Sequence, residues 1–540
     1  MHEAAYLLAL FALLSQVLAL VRDRMFASTF GIGPTLDIYY ASFRIPDLLF
    51  TLVASLFSLY AILPVLSSAA GSEVRILEKI LLWFFGLTGL VAALACFFAP
   101  AITAYLAPGF SPAAQEQLVL LTRILLLQPI LLGASNILAS LTQLRSRFVL
   151  YAISPLLYNV GIIVGIVALY PRFGLLGLAW GVVLGALLHA LVQVPHFIAE
   201  RVPGPSPKVP MRAILTLSIP RTLALAAGQI TLLVLVAIAS GLSAGSISAF
   251  TLSMNLQAVP LAVIGMSYSV AAFPTLARLI GRGEQTVFLF HIVTALRHIM
   301  FWSIPALVLV VVLRAQIVRV VLGAGAFDWD ATRLTAAALA VLIISFAAQS
   351  ISYLLARGYY AAGKTARPLV LSMLSVAVSI FSALFLLLLF RTHPLFSYFV
   401  ESLLRVSGVP GTEMLMLALG YSLGTIVQAV CALILFSYDF SISLRPLWRV
   451  FLQSFAASVL SGSCAYGALL VAGLFVDINT FIGIFAQGLA GGLVGLSTCA
   501  LVLYALRSPE LNEVIDAIKR RFRDPKIIEV VAIEPSELSS

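Results

Sequence analysis

Long apolar stretches alternate with short polar, Gly- or Pro-containing breaks along most of the chain. A membrane-spanning helix needs about 20 mostly apolar residues. With that length, the pattern predicts fourteen membrane-spanning helices, near residues 4–21, 36–64, 77–105, 117–143, 148–170, 174–198, 213–240, 245–278, 290–321, 333–361, 367–390, 413–437, 446–475 and 479–506. The expected fold is an all-α polytopic membrane protein with short loops.

Composition excludes the soluble classes of protein. Of the 540 residues, 61% are hydrophobic and only 10% are charged, whereas soluble domains carry about 45–50% apolar and about 25% charged residues. A cytosolic enzyme, a secreted disulfide scaffold and a disordered chain are therefore excluded. The four cysteines lie within apolar stretches without CxxC spacing, which indicates packing residues and supports neither a disulfide framework nor a zinc site.

The basic residues predict the orientation of the chain. Lys and Arg concentrate in the breaks that face inward if the amino terminus is cytoplasmic, and six of them lie between Arg507 and Lys526. The outward breaks at 106–116, 241–244 and 476–478 contain none. Because cytoplasmic loops carry the excess of Lys and Arg, both termini are expected in the cytoplasm. This distribution accounts for the net charge of +10 without nucleic-acid binding.

A weak internal repeat predicts two lobes. Gly109 and Gly325 end similar segments, and Pro155 and Pro368 each open the fifth span of a six-span unit. We predict an N-lobe at 1–200 and a C-lobe at 201–440, related by a pseudo-two-fold axis along the membrane normal; chance coincidence of Pro and Gly is the alternative. Two lobes around a cavity are typical of transporters that work by alternating access.

The remainder of the chain is predicted to form two additional spans, at 441–506, and a tail at 507–540. Ser508-Pro509 is a typical helix start. Apolar residues at helical spacing follow it, and Lys519-Arg520-Arg521 comes after them. The tail is therefore expected to form an amphipathic helix on the inner leaflet, the alternative being a solvated helix.

The first two predicted spans contain the densest cluster of ionisable residues. Ionisable side chains inside a membrane are costly, so they mark candidate functional sites. We interpret the cluster as an anion-binding site facing a central cavity, because guanidinium groups bind phosphate bidentately and keep their charge. Mutual pairing of acids and bases is the alternative. The candidate residues are Gln16, Arg22, Asp23, Arg24, Asp37 and Arg44, with Asp47 also in the cluster.

Two amides in the eighth predicted span extend this candidate site. Asn255 and Gln257 precede Pro260, and a proline inside a span often marks a bent helix that lines a cavity. Amides at such a place can bind sugars or phosphates, or they can join neighbouring helices. Asp328-Trp-Asp330 has the form of a metal-binding DxD motif, but acids at that spacing more simply begin a helix. No metal or cofactor is predicted.

Several motifs together resemble the MurJ (MviN) family of lipid II flippases. The resemblance extends over about residues 15–370. The motifs are Val21-Arg22-Asp23, Ala27-x-x-Phe30-Gly31, Phe43-Arg44-Ile45-Pro46-Asp47-Leu48-Leu49, Ala107-Pro108-Gly109-Phe110, Asn255-Leu256-Gln257-x-x-Pro260, Ala272-Phe273-Pro274 and Arg357-Gly358-Tyr359-Tyr360-Ala361.

The resemblance implies a fourteen-span transporter of the multidrug/oligosaccharidyl-lipid/polysaccharide exporter superfamily in the bacterial cytoplasmic membrane. Its substrate would be lipid II, an undecaprenyl-pyrophosphate-linked disaccharide-pentapeptide, carried from the inner to the outer leaflet for peptidoglycan synthesis. The N-lobe cavity would hold the pyrophosphate, and a groove continued by the last two spans would hold the lipid tail. Membrane lipids and cell-wall synthesis enzymes are further candidate partners.

This sequence departs from the family at three positions where well-studied members carry cavity arginines. Gln16, Phe50 and Asn255 occupy those positions here. Our hypothesis is that the anion site has moved onto Arg22, Arg24 and Arg44 with support from amides. The alternatives are a flippase for another lipid-linked oligosaccharide, such as an O-antigen or capsule unit, a membrane-embedded glycosyltransferase that uses the DxD motif, and a scaffold acting through the tail.

Overall fold

The computed structural model of the chain describes residues 2–57, 62, 66, 72–145, 147–200, 204, 211–477 and 480–523. Regular secondary structure within these residues is helical, without strands. The first 200 residues, which we call the N-half, contain α1 (His2–Phe30), α2 (Pro34–Ser42), α3 (Arg44–Ala54), α4 (Glu73–Phe97), α5 (Ala99–Leu106), α6 (Pro112–Leu125), α7 (Leu127–Leu144), α8 (Phe148–Val164), α9 (Tyr170–Phe173), α10 (Leu175–Leu191) and α11 (Val194–Ala199).

Residues 211–440, which we call the C-half, continue the helical series. They form α12 (Met211–Ser240), α13 (Ser246–Pro260), α14 (Ser267–Gly281), α15 (Gln285–Leu322), α16 (Trp329–Ile343), α17 (Phe346–Ala361), α18 (Ala366–Thr392), α19 (Pro394–Leu404) and α20 (Met414–Phe440). The chain then adds α21 (Arg445–Ala472), α22 (Phe481–Ala505) and α23 (Pro509–Arg523). Short π-helical turns join α8 to α9 and α13 to α14.

Membrane-length helices confirm the all-α polytopic class. Among the described residues, 11 helices are long and apolar enough to cross a membrane, or 12 when α16 and α17, bent by 44°, are taken as one span. The helix α1 and the interrupted pair α2 and α3, where the first two spans were predicted, are not among them. The count of fourteen spans therefore stays a prediction.

Successive spans reverse direction, so the breaks between them fall on two faces. We call the face that carries α23 the tail face. The other, the opposite face, carries residues 31–33, 107–111, 241–245, 323–328 and 393–413.

Small residues bring helices into close contact at corresponding places of the two halves. In the N-half, a Cβ atom on Gly161 of α8 would collide with the backbone of Gly185 in α10. In the C-half, a Cβ atom on Gly420 of α20 would lie 2.6 Å from the Cα atom of Ala383 in α18. In a bilayer the hydrophobic effect does not drive helices together, because the lipid tails are themselves apolar. Close backbone approach of this kind gives membrane helices van der Waals contacts instead.

The helices α21 and α22 pack against α15. Gln316 of α15 donates to Gln487 of α22 over 3.2 Å, and Ser461 of α21 donates to the carbonyl of Gly495 in α22 over 2.7 Å. These helices therefore extend the C-half through α15. The predicted lipid-tail groove at 441–506 and the lobe boundaries stay predictions.

The tail helix docks on the tail face of the C-half. Leu511 and Val514 pack against a small core that includes Phe301 of α15 and Leu503 of α22. The buried carboxylate of Glu510 accepts from Arg297 Nε over 2.8 Å, and a second contact joins it to Nη2 over 2.5 Å. The helix predicted to follow Ser508-Pro509 is thus present at Pro509–Arg523, and residues 524–540 of the predicted tail lie outside the described residues.

Candidate functional site

A polar network inside the bundle joins three helices around Asp23. Arg22 donates to Asp23 Oδ1 from Nε over 3.0 Å and from Nη2 over 2.8 Å. Asn255 of α13 donates to the other carboxylate oxygen over 3.0 Å, and Asn159 of α8 accepts from Arg22 Nη1 over 3.0 Å. The network therefore connects the N-half to the C-half through Asp23, which is 3% exposed.

Arg22 and Asp23 pair with each other, as the alternative interpretation of the charge cluster predicted. Both Asp23 oxygens have donors, whereas Arg22 uses three of the five N–H groups that a guanidinium offers. An anionic ligand near this pair would find unused N–H donors on Arg22. The positive charge of Arg22 itself is already balanced by Asp23.

Arg44 has far fewer partners than Arg22. Its Nη2 atom lies 3.5 Å from the hydroxyl of Thr251 in α13, and its Nε atom is buried without a hydrogen-bond partner. Asp47 acts on Arg44 electrostatically but forms no ion pair with it. Because a buried charged donor without a hydrogen-bond partner is costly, Arg44 is the strongest candidate for binding an anion between the halves.

Tyr40 belongs to the same site, and the sequence did not single it out. Its hydroxyl is buried without a partner, and it interacts electrostatically with Asp23, Arg22 and Arg44. Buried polar atoms nearly always have partners, so an unpartnered hydroxyl beside two arginines fits a place for a ligand or water. In the sequence, Tyr40 could have been identified by its position four residues before Arg44, about one helical turn away.

Asp37, in the N-half, caps the amino-terminal end of α13 in the C-half. Its carboxylate oxygens accept from the backbone N–H groups of Gly245 over 2.6 Å and Ser248 over 2.7 Å. Gly245 stands at the N-cap of α13 and has no side chain to cap it. Asp37 supplies the missing acceptor, and its charge complements the positive end of the helix dipole.

Arg24 makes the complementary contact at the carboxyl end of α15. Its Nη1 atom donates to the carbonyl oxygens of Val320 over 2.6 Å and Val321 over 3.3 Å. The last carbonyls of a helix lack intrahelical partners, and positive charge is favourable there. The guanidinium also lies 5.4 Å from the ring centroid of Phe481, at the start of α22.

Two reciprocal contacts made by backbone N–H groups complete the junction formed by Asp37 and Arg24. We call this junction the opposite-face seam. The Ala326 N–H donates to the Ser28 carbonyl at the end of α1 over 2.9 Å. The Gly109 N–H donates to the Ser240 hydroxyl at the end of α12 over 3.2 Å. Each half thus places its Gly-containing loop on the end of the other half's first helix, and the halves meet closely at this face.

The remaining predicted residues lie apart from the seam. Gln257 donates to the Leu342 carbonyl over 2.8 Å and contacts the Ser345 hydroxyl over 3.3 Å, so it joins α13 to neighbouring parts of the C-half. Gln16 is half-buried in α1 and has no hydrogen bond within the part of the chain that the structure describes. The DxD motif begins a helix as predicted, because Asp328 Oδ1 accepts from Ala331 N–H over 2.7 Å.

A family model described as "Lipid II flippase MurJ" matches residues 26–486 of this chain. The chain belongs to the MurJ family. This match confirms the resemblance that the sequence motifs predicted. Among MurJ relatives, a "Lipid II flippase MurJ" of Burkholderia cenocepacia is 26% identical over 372 residues, covering 65% of this chain and 71% of the relative. A "Probable lipid II flippase MurJ" of Thermotoga maritima is 27% identical over 447 residues, covering 76% and 90%.

Solved structures give the same fold. A MurJ structure described as an inward closed conformation superposes with a TM-score of 0.71 at 19% identity, covering 93% of this chain and 99% of that one. An inward-facing multidrug transporter of the MATE family and the MOP superfamily gives a TM-score of 0.63 at 16% identity, covering 79% and 94%. This chain therefore shares its overall fold with these solved structures.

Proposed function

We propose that this chain is a flippase that carries lipid II across the bacterial cytoplasmic membrane by alternating access. Its MurJ family membership and the names of its relatives support this proposal. The family is one of transporters, so we assign the chain transport and no enzymatic reaction. The tail face would be cytoplasmic, in keeping with the basic residues of the inward breaks.

The observation that carries the proposal is the under-satisfied donor set between the halves. Arg44 Nε and the Tyr40 hydroxyl are buried without partners, and Arg22 keeps two unused N–H groups beside them. A pyrophosphate offers several charged acceptors that match such donors. We assign its recognition to Arg44, Arg22 and Tyr40, with Asp23 and Asn255 positioning Arg22 and with Gln16 as a further amide in the cavity.

Asp37 and Arg24 would have a different role in this mechanism. Each already contacts a helix end of the C-half: both Asp37 oxygens accept from the start of α13, and Arg24 Nη1 donates to the last carbonyls of α15. We propose that they stabilise the state in which the opposite-face seam is closed. Opening toward the outer leaflet would then separate Asp37 from α13 and Arg24 from α15.

Lipid II binding to the purified chain tests the site. In native mass spectrometry, Arg44→Gln is expected to weaken binding about tenfold or more, because a charge-assisted hydrogen bond contributes about 1.5–3 kcal/mol. Arg172→Gln is the matched control, since Arg172 is exposed and donates only to a carbonyl of its own helix region. Full binding by an Arg22→Ala/Arg44→Ala double variant would contradict the site, and stronger binding of another undecaprenyl-linked saccharide would favour that substrate.

A further inference from the structure

A second positive cluster lies away from the site between the halves, toward the opposite face. Arg314 of α15 and Arg405, directly after α19, are near enough for the charge of Arg405 to act on Arg314. Within the described chain neither guanidinium forms an ion pair. The acidic residues of this region are engaged elsewhere: Asp330 with Arg333, Glu413 with Arg391, and Glu401 with Thr412.

The few contacts of the two guanidinium groups leave most of their donors unused. Arg314 Nη1 donates over 2.8 Å to the Val311 carbonyl of its own helix. Arg405 Nη2 donates over 3.2 Å to the hydroxyl of Tyr466 in α21, and its Cζ atom lies 6.0 Å from the centroid of that ring. With five N–H groups on each guanidinium, the pair can bind an additional anion.

The surrounding helices fix the position of this pair. Arg333 of α16 holds the Arg405 carbonyl by two hydrogen bonds of 3.2 Å and 3.0 Å. A Cβ atom on Gly462 of α21 would lie 3.6 Å from the side chain of Val312 in α15, which places these two residues side by side. Tyr466 follows Gly462 by one turn, and Arg314 follows Val312, so both lie on the way to the opposite face.

Arg314 lies within the membrane-length helix α15, and Arg405 is exposed beside its end. Arg314 precedes Leu322, the end of α15, by eight residues, which is about 12 Å at the rise of an α-helix. The helix α19, which ends directly before Arg405, exposes Tyr398, Phe399 and Leu403. A cation inside a membrane-length helix without an acidic partner, as Arg314 is, requires a counter-anion or hydration to offset its cost.

We propose that Arg314 and Arg405 bind the phosphate of an anionic phospholipid in the leaflet at the opposite face. A lipid phosphate is the anion that a bilayer provides next to an apolar protein surface, and guanidinium groups match its geometry. The Tyr466 hydroxyl supplies a further polar group, and the exposed apolar face of α19 lies along the acyl chains. This site is independent of lipid II transport.

Lipid binding by the full-length purified chain tests this proposal. Native mass spectrometry and thermal unfolding are measured after addition of phosphatidylglycerol, phosphatidylcholine or inorganic phosphate. The wild-type chain is expected to retain phosphatidylglycerol preferentially and to gain several degrees in Tm from it. The Arg314→Gln/Arg405→Gln variant should lose the preference and more than half of the Tm gain, whereas Arg172→Gln, which changes an exposed arginine of α9, should keep both.

Two single variants test the same site in case the double variant does not fold. Arg405→Gln changes an exposed side chain, and Tyr466→Phe removes one hydroxyl, so both should fold and should bind phosphatidylglycerol several-fold more weakly. Equal binding of both phospholipids, or unchanged preference in the double variant, would overturn the proposal. The two arginines would then be hydrated by solvent rather than bound to a lipid. Equal stabilisation by inorganic phosphate, or displacement of phosphatidylglycerol from this site by lipid II, would overturn the proposed occupant.

Discussion

Replacing Asp37 by Asn should open the opposite-face seam. The carboxylate accepts two hydrogen bonds from the start of α13, from Gly245 over 2.6 Å and Ser248 over 2.7 Å. An asparagine can accept one of them but turns its NH₂ group toward the other donor, and it has no charge to complement the helix dipole. Losing one charge-assisted bond costs about 1.5–3 kcal/mol. The population ratio of open to closed seam should therefore rise about 10- to 100-fold.

The assay measures the distance between spin labels on Thr29, at the end of α1, and Ser243, just before α13. Both residues are exposed at the opposite face, one in each half. The wild-type chain is expected to show one short distance, and Asp37→Asn is expected to add a longer one. The labelled chain must first lose its native cysteines: Cys96, Cys431, Cys464 and Cys499.

Asp328→Asn is the matched control for this experiment. Asp328 also caps a helix, α16, through a 2.7 Å bond to a backbone N–H group, but donor and acceptor belong to the same half. Its replacement should lower Tm without changing the distance between the labels. Identical distance distributions for Asp37→Asn and the wild-type chain would refute the assignment of Asp37 to the seam.

Three further predictions concern other contacts of the same structure. Arg24→Gln should increase the population at the longer spin-label distance less than Asp37→Asn does, because charge at a helix end contributes about 0.3–1 kcal/mol, up to ~2 kcal/mol when partly buried. An unchanged population would contradict the role of Arg24 in the seam. Tyr40→Phe removes a hydroxyl without a partner, so Tm should not fall while lipid II binding weakens several-fold; a lower Tm with intact binding would show a structural hydroxyl instead. Burial opposes the charge of Glu510, but its hydrogen bonds to a backbone N–H group, Arg297 and Ser508 hold the pKa of its carboxyl below the usual 4.5. The Tm advantage of the wild-type chain over Glu510→Gln should therefore be complete above pH 4.5 and disappear as pH falls through the lowered pKa; parallel Tm curves for the two proteins would contradict this linkage.

Helix type and approximate position were predictable because the bilayer fixes the length of apolar sequence that a span needs. The predicted span near 367–390, for example, is the helix Ala366–Thr392, and the span near 413–437 is Met414–Phe440. The same rule is less informative where helices break. The predicted span near 36–64 contains two shorter helices that meet at Phe43, and local conformation there depends on packing rather than on hydrophobicity.

The roles of the charged residues were less predictable than their importance. The sequence marked Asp37 and Arg24 as out of place in a membrane, but their partners lie at the ends of α13 and α15, about 200 to 300 residues away. No local pattern encodes such contacts between halves. Tyr40 was overlooked because an aromatic residue in an apolar helix has no unusual composition, and only the tertiary structure leaves its hydroxyl without a partner.

The most direct test of lipid II transport uses a bacterium whose own lipid II flippase can be switched off. This chain is expressed there, and an impermeant enzyme that cleaves lipid II is added from outside. Our account predicts cleavage that requires this chain and falls about tenfold or more with Arg44→Gln, but not with Arg172→Gln. Absence of cleavage while the wild-type chain is present in the membrane, or equal cleavage with an Arg22→Ala/Arg44→Ala chain, would contradict it.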